Sequence, residues 1–169
     1  MTGQPGAGKT AVAKELSDLL WRIREPYALI DIDELGRALL PTPTSNFNHA
    51  LTVANLRAVW ANFYAAGLRR LILARVILST DDIDQYAGAI PNAHITVCLL
   101  QAPAETIRER ITQREPGSSR DFLLSVTTRI AEQTAHLDLP GIRIVNDQCS
   151  INEVAREILT RAEWPCPPA

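Results

Sequence analysis

The 169-residue chain has little charge of either sign, few aromatics and hardly any cysteine. Seventeen Lys and Arg against nineteen Asp and Glu leave a formal net charge of −2. That balance excludes the basic footprint of a nucleic-acid binder and the polybasic patch of a membrane-surface protein. Three cysteines, Cys98, Cys149 and Cys166, are an odd number without C-x-x-C or zinc spacing. They exclude a disulfide framework and read as the reduced thiols of a cytoplasmic protein, with Cys98 as core. No apolar run reaches the ~20 residues of a membrane span, and no leader pattern precedes the first motif, so a soluble protein is expected. His49, His94 and His136 share no spacing with acids that would make a metal site, and read as structural. Trp21, Trp60 and Trp164 have no interleaved basic residues and read as packing rather than base-stacking platforms. Oligomeric state leaves no trace in the sequence.

What is present is the alternation of an α/β protein. Four apolar runs rich in Ile, Val and Leu, Tyr27–Ile32, Leu68–Leu78, His94–Leu100 and Gly141–Val145, predict strands covered on both faces. Helices are expected over Lys9–Arg24, Asn48–Ala66, Asp81–Ile90, Pro103–Glu115, Asp121–Leu137 and Ile151–Glu163. Several carry start signals: Pro103, Ser79-Thr80-Asp81-Asp82, and the capping box Ser150-Ile-Asn-Glu153. Strands alternating with helices give a parallel sheet between helical layers. Residues 1–163 are read as one domain and 164–169 as a frayed Pro-rich tail.

Gly3-Gln-Pro-Gly-Ala-Gly-Lys-Thr10 satisfies G-x-x-x-x-G-K-[ST] at every position, and an amphipathic helix with Val12, Leu16, Leu19, Leu20 and Ile23 on one face follows at once. A chance match in this length has odds well below about one in a hundred. Glycines let backbone N–H groups turn toward phosphates, and the helix N-terminus adds partial positive charge. Gly3, Gln4, Pro5, Gly6, Ala7 and Gly8 would form the cradle, Lys9 would bridge the β- and γ-phosphates, and Thr10 would coordinate Mg²⁺. ATP and Mg²⁺ are therefore the expected ligands.

Further absences narrow the class. No Asn-Lys-x-Asp guanine box appears, against a GTPase switch. No apolar strand ends in the Asp or Asp-Glu of hydrolytic ATPases, since Leu71-Ile-Leu-Ala-Arg-Val-Ile77 ends near an arginine. The chain is too short for the extra domain of a AAA-type motor. Instead, Ile30-Asp-Ile-Asp-Glu34 closes the first strand. Alternation puts Asp31 and Asp33 on one side at its C-terminal end, where open α/β sheets bind ligands. One carboxylate can hold a Mg²⁺ water and the other can take the proton of a substrate hydroxyl; the two roles are exchangeable at this stage. The structural alternative is that Asp33 caps a helix over Glu34–Leu40. Arg108, Arg110, Arg114 and Arg120 surround Glu115-Pro-Gly-Ser-Ser119, read as a hinged loop, so that a lid over about 108–121 could bring Arg110 and Arg114 onto the phosphates. The alternative is a solvated Arg/Glu helix face.

This order of P-loop, Asp-x-Asp, Arg-containing lid and final strand and helix resembles the small-molecule P-loop kinases, among them the shikimate, gluconate and adenylylsulfate kinases and chloramphenicol phosphotransferase. The resemblance covers nearly the whole chain, and Ile107-Arg-Glu-Arg-Ile-Thr-Gln-Arg-Glu115 with Phe122-Leu-Leu124 is similar to the gluconate-kinase lid. It implies a three-layer P-loop NTPase fold of strand order 2-3-1-4-5, with Asp33 as substrate acid and Asp31 as the acid before it. It implies that Asn146 and Asp147 loop around adenine, and that Asn55 and Arg57 flank a small hydroxyl-bearing acceptor. Arg75 and Arg37 are further substrate candidates, Arg75 having a structural pair with Asp31 or Asp33 as its alternative. A nucleoside monophosphate kinase, with Arg57 and Arg75 on the acceptor phosphate, and a non-catalytic nucleotide-binding module are the competing readings. One element is missing: only Met1 and Thr2 stand before Gly3, where the strand delivering the P-loop should be. That strand is expected upstream; the alternative is an unusual sheet without its central member.

Overall fold

A computed structural model of the chain describes residues 1–41, 48–134 and 137–168. Strands β1 (Ala28–Asp31) and β2 (Leu71–Ala74) pair in parallel, as do β3 (Cys98–Gln101) and β4 (Ile142–Val145). Met1 and Thr2 run between the two pairs. The Met1 ammonium donates to the Leu73 carbonyl at 2.8 Å and the Met1 carbonyl accepts from the Arg75 amide at 3.0 Å. Thr2 donates to the Cys98 carbonyl at 2.7 Å and accepts from the Leu100 amide at 2.9 Å. The order is thus β1, β2, Met1–Thr2, β3, β4: the expected 2-3-1-4-5, with its central member two residues long.

Among the described residues there are seven helices, all but α2 at the expected sites: α1 (Lys9–Arg22), α2 (Ile32–Leu35), α3 (His49–Ala65), α4 (Thr80–Ala89), α5 (Ala104–Arg114), α6 (Gly117–Thr134) and α7 (Ile151–Arg161). Both serine-led starts are capping boxes, Ser79 with Asp82 on α4 and Ser150 with Glu153 on α7. Along β1 and β2 the alternating side chains build two cores. Ile72 and Ala74 join Leu16, Leu19 and Leu20 of α1 and Ile158 and Leu159 of α7. Ile30 packs with Leu56 and Trp60 of α3 and Tyr86 of α4. Each of these large apolar side chains contributes about 1.5–3 kcal/mol on full burial. Two helical layers thereby enclose the sheet.

Several expectations need correction. The runs Leu68–Leu78 and His94–Leu100 yield four-residue strands, because a ladder extends only as far as its paired neighbour, four residues long in both β1 and β4. The loop expected over Glu115–Ser119 is only Glu115 and Pro116: α6 begins at Gly117, directly after the proline. Asp33 does not cap Glu34–Leu40; the helix is Ile32–Leu35 and its cap is Asp31, which accepts from the Asp33 amide at 3.2 Å. Trp21 is 76% exposed and Ile23 37% exposed, since α1 turns both away from the face that buries Leu16, Leu19 and Leu20. The chain end is tied rather than frayed over 164–168: Arg156 of α7 donates to the carbonyls of Pro167 at 2.6 Å and Pro168 at 3.1 Å. His49 bonds Gln85 at 2.6 Å, whereas His94 is exposed. His136 and most of the 41–48 connection lie outside the described residues. Cys98 is buried in the core, which pushes its thiol pKa up to about 11. Among the described residues no helix is long and apolar enough to cross a membrane, and no cluster of His, Cys, Asp and Glu makes a metal site.

Candidate active site

The loop from Gly3 to Gly8 leaves the sheet at its C-terminal edge and feeds α1. Two of its glycines are required by their surroundings. Gly3 has φ 139° and a Cβ there would sit 2.3 Å from the Leu100 carbonyl oxygen. Gly8 has φ 99° and a Cβ would sit 2.4 Å from Asn146 Nδ2. As N-cap, Gly8 offers no side chain to the first turn of α1, so the turn's leading amides remain available to an anion. Lys9 folds over the loop mouth, donating from Nζ to the carbonyls of Gly3 at 3.0 Å and Gln4 at 3.1 Å.

Asp31 and Asp33 both reach this mouth, but from different elements. Asp31 ends β1 and its Oδ2 accepts from the Thr10 hydroxyl at 3.3 Å. Asp33 stands one helical step on, in α2, with Oδ1 accepting from Arg75 Nη1 at 2.8 Å. The pairing resolves the two sequence readings of Arg75 in favour of an ion pair with Asp33: the guanidinium side chain is 13% exposed and the carboxylate 60%. A cation this enclosed requires its partner, and the partner is in turn held at one place.

Electrostatics tie the cluster together. Burial lowers the pKa of Lys9 to about 8, outweighing the opposing pull of Asp33 and Asp31, while Arg114 pushes it down further. In the free protein its ammonium is therefore half deprotonated near pH 8. Phosphate binding needs the charged form, so affinity for an ATP analogue should fall as pH rises above about 8, approaching a tenfold loss per unit. Calorimetry across pH 7 to 9.5 checks this; a Lys9→Arg protein should show a flat profile.

The lid arginines part company. Arg110, at the inner end of α5, donates from Nη2 to the Asn146 carbonyl at 3.1 Å, and its Nη1 is buried without a hydrogen-bond partner among the described residues. An orphaned guanidinium nitrogen on a residue bonded to Asn146, which itself holds the Ala7 carbonyl, suits an anionic ligand group. Arg114 bonds its neighbour Glu115 at 2.8 Å and remains close enough to affect Lys9. Arg120 pairs with Asp121 at 3.3 Å, and Arg108 is exposed. Arg37 pairs with Glu34 at 2.7 Å across one helical turn. Arg57 is exposed on α3, with no ion pair or hydrogen bond among the described residues, and Asn55 donates to the Leu35 carbonyl at 2.7 Å, fastening α2 to α3.

One contact and one residue escape sequence reading: the hold of Asn146, expected to loop around adenine, on the P-loop, and Tyr86. Asn146 is 3% exposed, and its Nδ2 donates to the Ala7 carbonyl at 2.7 Å, so the side chain fixes the P-loop. The polar pair Asn146-Asp147 signals a loop but not that contact. Removing the amide strands a buried carbonyl at about 1–3 kcal/mol, so Asn146→Ala should melt roughly 2–10 °C lower in a thermal scan. Tyr86 of α4 is 5% exposed beside Arg75, and its hydroxyl has no partner of good geometry among the described residues. A single tyrosine in a helix of small and acidic residues carries no sequence pattern.

The residues present fit a nucleotide with Mg²⁺: the glycine cradle admits phosphates where a Cβ would not, and the Thr10–Asp31 pair is a hard oxygen set for a cation. Solved structures similar to this one include the tunicamycin resistance protein of Deinococcus radiodurans, 19% identical, TM-score 0.68, covering 99% of this chain and 96% of that one. The APS kinase of Mycobacterium tuberculosis, solved with AMPPNP and APS, is 22% identical with TM-score 0.61, over 96% and 94% of the two chains. A gluconokinase from Sinorhizobium meliloti is 17% identical with TM-score 0.64, over 96% and 89%. At these identities the likeness establishes a shared fold. Comparison with curated proteins returns no match. Residues 1–140 match the AAA domain family, and with that span, its intact P-loop and the parallel sheet around it, the chain belongs to that family.

Proposed function

We propose that this protein transfers the γ-phosphoryl group of ATP to a hydroxyl of a small molecule. The observation that carries this is the meeting of Lys9, Asp31 and Asp33 at the P-loop mouth, with Asp33 held by Arg75. A pure nucleotide-binding module has no use for a second carboxylate gripped beside the phosphate site. In this reading the glycine cradle and Lys9 hold the phosphates, and Thr10 and Asp31 hold Mg²⁺, which when bound neutralises charge on the phosphate oxygens. Asp33 orients the acceptor hydroxyl and takes its proton as the new O–P bond forms and ADP departs with the electrons of the broken bond. Arg110 and Arg114 supply further positive charge at the phosphates. Arg75 acts by fixing Asp33, while Arg37, just past α2, and Arg57, on α3, would meet the acceptor.

Two of the similar structures support the reaction class, the APS kinase solved with AMPPNP and APS and the gluconokinase. The formal net charge of −2 suits a small-molecule acceptor better than a polyanion, and the free cysteines Cys98, Cys149 and Cys166 accord with a cytoplasmic setting. The test is transfer from ATP labelled in its γ-phosphate to a panel of polyols, sugar acids and antibiotics beside a panel of nucleoside monophosphates. Label in a phosphomonoester of a hydroxyl compound is expected. Label only in nucleoside diphosphates would replace this reading by a nucleoside monophosphate kinase.

A further inference from the structure

Asp33 does not hold itself in place. It sits on α2, a helix of one turn that has no stability of its own, and its carboxylate is 60% exposed. What fixes it is Arg75, whose Nη1 donates to Asp33 Oδ1 at 2.8 Å. A guanidinium carries five N–H donors, and an arginine pinned at one of them keeps much of its rotamer freedom. How well Asp33 is placed therefore depends on what meets the rest of the Arg75 fork.

The group packed beside that fork is Tyr86. Its ring is buried with Ile30, Ile32, Leu56 and Trp60 in the core between the sheet and α3, and the His49 ring stands 5.9 Å from it, tilted by 57°. The ring is thus fixed, and the hydroxyl is the feature that needs a reason. It is enclosed, yet it has no well-directed hydrogen bond among the described residues. Burial pushes the phenol pKa up and the Arg75 charge pulls against it, so the group is a neutral hydroxyl facing a cation. Of its charged neighbours Arg75 acts on it most strongly, ahead of Asp82 and Asp33. An unsatisfied buried hydroxyl is destabilising, and phenylalanine would fill the same space without it. Packing alone gives no reason for tyrosine here.

We propose that Tyr86 is a positioning residue for the transfer, an inference that rests on the reading of Asp33 as the group that takes the acceptor's proton. The Tyr86 hydroxyl oxygen accepts from the Arg75 guanidinium and so holds Arg75, and through it Asp33, in line with the acceptor hydroxyl. Contacts of this kind tighten when a substrate excludes water from a crevice, because charge and dipole attract more strongly at lower dielectric. Tyr86 touches neither acceptor nor nucleotide, and acts only through Arg75.

The experiment is a double-mutant cycle between Tyr86 and Arg75. It is read by transfer from γ-labelled ATP to whichever hydroxyl acceptor the original protein phosphorylates, and by NMR of isotope-labelled arginine side chains. Tyr86→Phe should lower kcat by about three- to tenfold, the worth of one hydrogen bond, with KM for ATP unchanged and Tm unchanged or raised. In an Arg75→Met protein the same change should alter kcat by less than about twofold. The Arg75 guanidinium signals, assigned by their loss in Arg75→Met, should show at least about threefold faster rotation about the Nε–Cζ bond in Tyr86→Phe.

An unchanged kcat in Tyr86→Phe would overturn the role. So would an equal fall in the Arg75→Met background, or a lowered Tm with unaltered Arg75 rotation, which would mark Tyr86 as packing alone. The two readings fail separately. No transfer to any hydroxyl compound by the original protein removes the reaction and this role with it, whereas transfer indifferent to Tyr86→Phe removes the role alone.

Discussion

Asp33→Asn is expected to lower kcat by ~10²–10⁴ while leaving ATP affinity within a few-fold of the original. The amide keeps the shape and can still accept from Arg75 Nη1, which bonds the carboxylate at 2.8 Å, but it cannot take a proton from an acceptor hydroxyl. It also removes the charge opposite a guanidinium whose side chain is 13% exposed, so a stability loss of about 1 kcal/mol accompanies the change. Melting curves separate the two effects, because a fold loss that small cannot produce a hundredfold fall in turnover at 25 °C. Asp31→Asn makes the contrast. Asp31 accepts from Thr10 and caps α2, so its loss should weaken the response to Mg²⁺ more than it alters turnover at saturating Mg²⁺. Steady-state kinetics of both variants against ATP and Mg²⁺ check the division of labour; retained turnover in Asp33→Asn would remove Asp33 from the chemistry.

Lys9→Ala is expected to abolish detectable ATP binding and, with it, transfer. Lys9 is the cation at the loop mouth, held by the Gly3 and Gln4 carbonyls at 3.0 and 3.1 Å and poised to exchange them for phosphate oxygens. A charge-assisted bond contributes about 1.5–3 kcal/mol, and a half-buried site strengthens each of several such bonds. The loop itself should survive, because its shape depends on Gly3, Gly8 and the Asn146–Ala7 bond rather than on Lys9. Lys9→Ala should therefore melt at or slightly above the original temperature, since a cation depressed toward pKa 8 by burial is removed. Titration calorimetry with a non-hydrolysable ATP analogue gives the binding result directly.

What the sequence makes legible is what depends on local backbone chemistry. The P-loop can be read because its glycines answer to φ values and close approaches that no other residue satisfies, as at Gly3 and Gly8. The parallel α/β layering could be anticipated because apolar runs alternate with capped helices, and both helix starts formed at their serines, whereas the strand order rested on the resemblance to the P-loop kinases. Asp31 and Asp33 reached the mouth together, although strand alternation was the wrong reason: the strand ends at Asp31 and a helical turn delivers Asp33. Side-chain partners decided the rest. Arg37 turned to Glu34 a single turn away, and Asn55 to a backbone carbonyl of α2. Asn146 meets Ala7 across 139 positions of sequence, and Tyr86 meets Arg75 across the crevice. Such contacts are made by the packing of α4, α5 and β4 against the loop and leave no periodicity to find.

The fate of the γ-phosphorus tests the central claim most directly. With ATP, Mg²⁺ and a small-molecule metabolite extract, phosphorus NMR of the original protein should show a new phosphomonoester signal growing in step with ADP, and Asp33→Asn should show neither. ADP formed with inorganic phosphate alone, or a phosphomonoester formed equally by Asp33→Asn, would contradict the account.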